Sequence, residues 1–277
     1  MAIEQYAFEL SIITITFNAE KELAKTIASI CEQKIDKQFK IQYIIQDGMS
    51  SDKTLAIAEK YCNILKNKGI TFSVFSEKDT GIYDAMNKGI QKATGKWIQL
   101  LNAGDVFHDS KSLCVLYNCI KGNNADIVYS NYCRINPCGV RFVKILELDR
   151  LKEEMIFCHQ ATAVKKELYT KIIYDVKYHL AADYDFFLKC YKAGVKFCHL
   201  KYYLIDYDLS GQSANNMIST YKEIYKVKQE QNFNERNMIT KLRYIIGIVK
   251  RKVLSVLPQW IRWPITNFIH NIKDKQL

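Results

Sequence analysis

The chain has 277 residues, 48% apolar and 25% charged, with only three prolines and eleven glycines. This excludes collagen-like, low-complexity and linker-dominated chains and leaves room for one large domain or two small ones. The formal charge of +11 is unevenly placed: residues 217–277 hold twelve Lys/Arg against four Asp/Glu, while the first 216 hold 28 against 25. The basicity belongs to a tail, and the body is close to neutral.

No window reaches the roughly 18 uninterrupted apolar residues of a membrane span. The opening Met-Ala-Ile-Glu-Gln lacks the basic and apolar stretches of a secretory leader. The nine cysteines include no Cys-x-x-Cys and no zinc-finger spacing. Reduced thiols in a cytoplasmic protein are expected.

Residues 10–16 (LSIITIT) form an apolar, β-branched run, which predicts a buried strand. Leu23, Ile27 and Ile30 at helical spacing predict a helix over 20–31. Residues 41–46 (IQYIIQ) predict a second strand, and 52–65 a second helix capped by Asp52. Strands over 71–75 and 97–101 flank a helix over 84–93. Such alternation implies a parallel sheet with helices on both faces. Beyond Ser110 the order loosens: helices over 113–120 and 184–193, strands over 126–129, 141–145 and 196–205. From Ile218 the pattern is helical almost to the end. One α/β domain over residues 1–216, with a helical C-terminal appendage over 217–277, is the simplest division.

Open parallel sheets bind ligands beyond the carboxyl ends of their strands. Thr16-Phe17-Asn18 follows the first expected strand and Asp47-Gly48 the second. Glu77, Asp79 and Gly81 follow the third, and Asn102-Ala103-Gly104-Asp105 the fourth. An acidic, amide-lined edge suits a hard divalent cation, which in turn attracts phosphate oxygens. Neither a G-x-G-x-x-G after a strand nor a G-x-x-x-x-G-K-[ST] is present, which argues against a dinucleotide or a P-loop nucleotide. Asp47 and Asp52 also suit turn and cap roles, and Asp183 could cap the helix that follows it.

Five stretches resemble, in order, the family 2 glycosyltransferases of GT-A fold: residues 11–20 (SIITITFNAE), 46–54 (QDGMSSDKT), 77–89 (EKDTGIYDAMNKG), 100–105 (LLNAGD) and 181–186 (AADYDF). The nearest look is to bacterial enzymes of capsule, exopolysaccharide or lipopolysaccharide synthesis. The resemblance implies a Rossmann-like domain with a mostly parallel central sheet. It implies that Thr16, Phe17, Asn18, Asp47, Asp79, Asn87 and Asn102 face a nucleotide-sugar donor. It implies Asp105 as ligand of Mg²⁺ or Mn²⁺, Asp183 as catalytic base, with Asp185 as its backup, and His159 as a donor or acceptor contact. Asn102 and Gly104 stand where the family often has aspartate, and Ala182 where it often has glutamate.

The expected function is an inverting, metal-dependent hexosyl- or N-acetylhexosaminyl-transferase. Its donor would be a nucleotide-diphospho-sugar, UDP-linked, and its acceptor a saccharide or lipid-linked saccharide of a bacterial surface polysaccharide. A sugar nucleotidyltransferase and a membrane-associated scaffold with a degenerate site are the competing readings. In the tail, Leu242, Ile245, Ile246, Val249, Val253 and Val256 recur at helical spacing among basic residues. That pattern fits either peripheral contact at the inner face of the plasma membrane or packing on the body. No recognition motif for nucleic acid accompanies the charge.

Overall fold

The computed structural model describes residues 6–136, 138–145, 147–209, 216–233, 238–258 and 260–266. Four β-branched or aromatic runs, β1 (Phe8–Thr16), β2 (Ile41–Asp47), β3 (Thr71–Ser76) and β4 (Gly95–Leu100), pair in parallel in the order β3-β2-β1-β4. Between them run α1 (Leu23–Cys31), α2 (Thr54–Asn67) and α3 (Ile82–Lys92). Successive residues of β1 enter opposite layers: Ile12 packs with Leu23, Ile27 and Ala58 on one face, Ile13 with Met86 and Ile90 on the other. This two-sided burial is why the strand reads as a continuous apolar run.

The register brings the strand ends level. Thr16 lies opposite Asp47, and Asp47 opposite Ser76. The polar residues that end β1, β2 and β3 therefore form one ledge.

Past β4 the sheet becomes mixed. β5 (Val106–Phe107) and α4 (Ser112–Gly122) lead to the long β6 (Ile127–Asn136) and β7 (Gly139–Val143). β8 (Thr162–Lys165) inserts antiparallel between β4 and β6, and β9 (Phe197–Asp208) runs parallel to β6. β5 and β7 pair antiparallel with β9 and β6, giving nine strands in one sheet among the described residues. Parallel pairing thus holds throughout the first half and recurs between β6 and β9 in the second. α5 (Lys166–Lys171) and α6 (Ala182–Lys192) precede β9, and α7 (Met217–Glu230) and α8 (Met238–Val256) follow it.

α7 is anchored to the body by fully buried Val227. Its Glu223 carboxylate accepts the backbone N–H groups of His179, Leu180 and Ala181 at 3.1, 2.7 and 3.1 Å. α8 packs back on α7 through Tyr244, which stacks on Tyr225 and Tyr221. Among the described residues, no helix is long and apolar enough to cross a membrane.

Candidate active site

A cavity of about 560 Å³ opens beyond the carboxyl ends of the strands. Its size suits a small-molecule ligand. Thr16, Phe17, Asp79, Asn102, Asp105, His159 and Asp183 all line it. Asn18, Asp47 and Asn87 do not line it.

Asp47 sits under the ledge, fully buried. Its two oxygens accept hydrogen bonds from Ser50 N and Oγ, Ser76 Oγ and Thr16 Oγ1. Burial alone would push its carboxyl up; these donors outweigh it and hold the group below the usual range. Asn18 adopts φ +49°, a left-handed conformation that asparagine tolerates, and its Oδ1 accepts Ser51 N–H at 2.9 Å. Both amide atoms of Asn87 bond the Tyr174 backbone, at 2.9 and 3.1 Å. Phe17, at the rim, is 67% exposed. Gly81 begins α3 with φ +136°, a backbone state costly for any other residue, and brings its main chain to the cavity wall.

The opposite wall is built differently. Asp105 is 3% exposed, and its Oδ1 accepts the backbone N–H of Asp208 at 2.9 Å. Burial raises its carboxyl to about 7 despite that bond and the neighbouring His159 and Gln160. Asn102 Oδ1 is buried with no partner among the described residues. Asp208, also on the cavity, holds Lys25 Nζ at 2.6 Å. An underneutralised carboxylate, an orphaned amide oxygen and a second carboxylate make an all-oxygen donor set, and these residues fit a bound Mg²⁺ or Mn²⁺.

Asp183, in the first turn of α6, is linked to that wall. Its Oδ1 accepts Tyr83 O–H at 3.0 Å and Tyr184 N–H at 2.8 Å. Its Oδ2 lies 3.1 Å from His159 Nδ1, and His159 Nε2 lies 3.2 Å from Asn102 Nδ2. A carboxylate can only accept and the amide nitrogen can only donate. The proton of the neutral ring therefore sits on Nδ1, and Asn102 is turned so that Oδ1 is left free. Burial and the charge of Asp183 push the Tyr83 phenol well above its usual range, so it stays a donor. Asp185 is nearly fully buried, bonded to Lys189 and Gln231, and does not line the cavity. Geometry favours Asp183 over its neighbour.

Three contributors went unnoticed in the sequence: Tyr83, Arg134 and Asp208. Arg134 is the only Lys or Arg lining the cavity among the described residues. The strand-end rule that marks Asp47 and Asp105 also marks Asp208, once β9 is extended to its real end.

A second group of potential metal ligands, His108, Cys133 and Asp206, has its ligand atoms within 4.8 Å of one another. Cys133 lies between Tyr132 and Arg134 on β6. Since those two line the cavity, alternation turns Cys133 away from it.

The family model described as glycosyl transferase family 2 matches residues 11–192. A PGL/p-HBAD biosynthesis glycosyltransferase of Mycobacterium bovis is 31% identical over 183 residues, covering 65% of this chain and 69% of that protein. A cholesterol galactosyltransferase of Borreliella burgdorferi is 34% identical over 128 residues, 46% of this chain and 33% of that protein. Among solved structures, S. aureus TarS in complex with UDP superposes with a TM-score of 0.63 at 19% identity, covering 88% of this chain and 71% of that one. A mannosyltransferase of Pyrobaculum calidifontis in complex with GDP-Man and Mn2+ gives 0.61 at 12% identity, covering 97% and 81%. At these identities the structural likeness establishes a shared fold.

Proposed function

Because the chain belongs to glycosyl transferase family 2, we propose that it moves a hexosyl or N-acetylhexosaminyl group from a UDP-sugar to a saccharide or lipid-linked saccharide. The anomeric carbon would be inverted. The lipid-bound acceptor fits the relatives, a PGL/p-HBAD biosynthesis glycosyltransferase and a cholesterol galactosyltransferase. Synthesis of a bacterial surface polysaccharide or glycolipid is the setting this reading implies.

The observation that carries the reading is the hydrogen-bonded chain Asp183–His159–Asn102, which joins the candidate base to the metal-suited wall inside one cavity. The donor's base and ribose would lie on the ledge of Thr16 and Phe17, with Asp79 and Gly81 beside them. Asp47 would act on the donor through Thr16, Ser50 and Ser76, by fixing the ledge. Asp105, Asn102 and Asp208 would hold a divalent cation, which when bound offsets the negative charge of the diphosphate. Arg134 adds a fixed positive charge on the same side.

Beside that wall, Asp183 takes the proton of the acceptor hydroxyl as the hydroxyl oxygen bonds the anomeric carbon. The bond from that carbon to the phosphate oxygen breaks, and the nucleoside diphosphate leaves. Tyr83 and His159 hold the carboxylate's two oxygens in place without consuming all their lone pairs. A single displacement through one base inverts the configuration.

The test is transfer by the Asp183→Asn variant, with product stereochemistry read by NMR. Loss of about 10²–10⁴-fold in kcat with donor binding retained is expected. A variant that keeps its kcat, or a product that retains the donor's configuration, would sink the assignment.

A further inference from the structure

α8 packs on α7 through aromatic and cation–ring contacts and turns an aliphatic stripe away from the body. Tyr244 stacks on Tyr225 with ring centroids 4.0 Å apart, and the Arg251 guanidinium lies 3.7 Å from the Tyr221 ring centre. Gly247 lets the Tyr221 ring approach the helix backbone, where any Cβ would collide with it. The opposite face carries Leu242, Ile245, Ile246, Val249, Val253 and Val256, each 56–76% exposed, and Trp260 beyond the helix end is 71% exposed. Isolated exposed aliphatics need no explanation, but a stripe of six at helical spacing does.

Charge selects its occupant. Lys250 and Lys252 are exposed beside the stripe, and the sequence from Arg236 to Lys273 contains eight Lys/Arg and no Asp or Glu. A second copy docking on this face through two-fold symmetry would bring like charges together. An anionic lipid surface would complement them while burying the stripe. We infer that the outward face of α8 is a docking surface for an anionic bilayer, seated so that the neighbouring cavity receives an acceptor carried in that bilayer.

The link to the cavity is α7. Its Thr220 and Ile224 line the cavity wall, its Glu223 clasps residues 179–181 just ahead of Asp183, and its Tyr221 and Tyr225 carry α8. A bilayer under α8 is thus separated from the cavity by two packed helices, whose axes lie about 8–10 Å apart. The docking half stands without the sugar-transfer reading, whereas the acceptor half rests on it.

The full chain is sedimented with vesicles of phosphatidylcholine alone and with vesicles containing about 30% phosphatidylglycerol, in parallel with the double variant Ile246→Glu/Val253→Glu. The anionic vesicles should bind the native chain, with affinity falling as salt rises. The double variant should bind at least about tenfold more weakly. UDP-sugar hydrolysis without vesicles should be equal in the two proteins, because neither residue touches the cavity. Equal vesicle binding by both proteins would overturn the proposal. So would a vesicle-indifferent chain whose dimer, seen by ultracentrifugation, is split by the double variant, since the occupant is then a second copy. Vesicle binding with no hydrolysis of any UDP-sugar would leave the docking surface standing and remove the enzymatic reading instead.

Discussion

The two walls of the cavity are made from the same sheet and treat a buried carboxylate in opposite ways. On the β1–β3 side, Asp47 is saturated by four hydrogen bonds and held in its charged form. On the β4–β9 side, Asp105 has one backbone donor and its carboxyl is raised to about 7, beside an amide oxygen with no partner among the described residues. Both residues are almost inaccessible to solvent, but Asp105 lies deeper in the protein, and burial is the largest cause of its raised carboxyl. Completion differs as well: the first wall's carboxylate is satisfied by its own chain, whereas the second wall leaves Asn102 Oδ1 without a partner among the described residues. Folding strength and chemical readiness are placed in different strands.

The contrast can be broken most severely at Asp105. Asp105→Asn should lower transfer by about 10²–10³-fold, since it weakens the hold on the cation that would offset the leaving group's charge. A metal-supplemented assay with near-native transfer would erase the distinction between the walls. The same substitution should have the reverse effect on folding. A carboxyl raised to about 7 in the native state binds its proton more tightly than the unfolded chain does, where its pKa is about 3.9. The metal-free protein therefore loses stability as pH rises between those values, by up to about 4 kcal/mol, and Asp105→Asn should flatten that slope. Denaturant melts at pH 5 and pH 8 with EDTA present would check this; parallel curves for both proteins would refute it.

Asp47→Ala should act in the other sense, costing about 3 kcal/mol of stability by orphaning buried donors. The folded fraction should keep its response to metal. A variant with native stability would mean the ledge is not held as described. The smallest effect is expected from Asn87→Ala, about 1–2 kcal/mol from two lost bonds to the Tyr174 backbone. Donor affinity should be unchanged, and a tenfold rise in the donor KM would move Asn87 back among the donor contacts.

The sequence exposes the first wall better than the second for a physical reason. β1 to β4 are local strand–helix units, each with an apolar run and a polar stop, and their ends are readable one at a time. β8 has four residues and β5 two, too short for periodicity, and they depend on pairing with strands far away in the chain. β9 continues through Asp206 and Asp208, residues disfavoured in strands, because its pairing with β6 and the Asp208–Asp105 bond outweigh their propensity. An expected end at residue 205 hides Asp208. Tyr83 reads as an ordinary apolar helix position, and its partner Asp183 is 100 residues on. Asp52 sits one residue outside the cap of α2, yet its Oδ1 still accepts Thr54 N–H at 2.9 Å.

The central claim is that the β4–β9 wall is incomplete until cation and donor arrive together. Calorimetric titration of Mn²⁺ into native and Asp105→Asn protein, each with and without a UDP-sugar that supports transfer, tests it most directly. The account predicts weak Mn²⁺ binding to the native protein alone, binding strengthened at least about tenfold by the donor, and no strengthening in the variant. Tight Mn²⁺ binding without donor, or the same donor-dependent strengthening in Asp105→Asn, would contradict it.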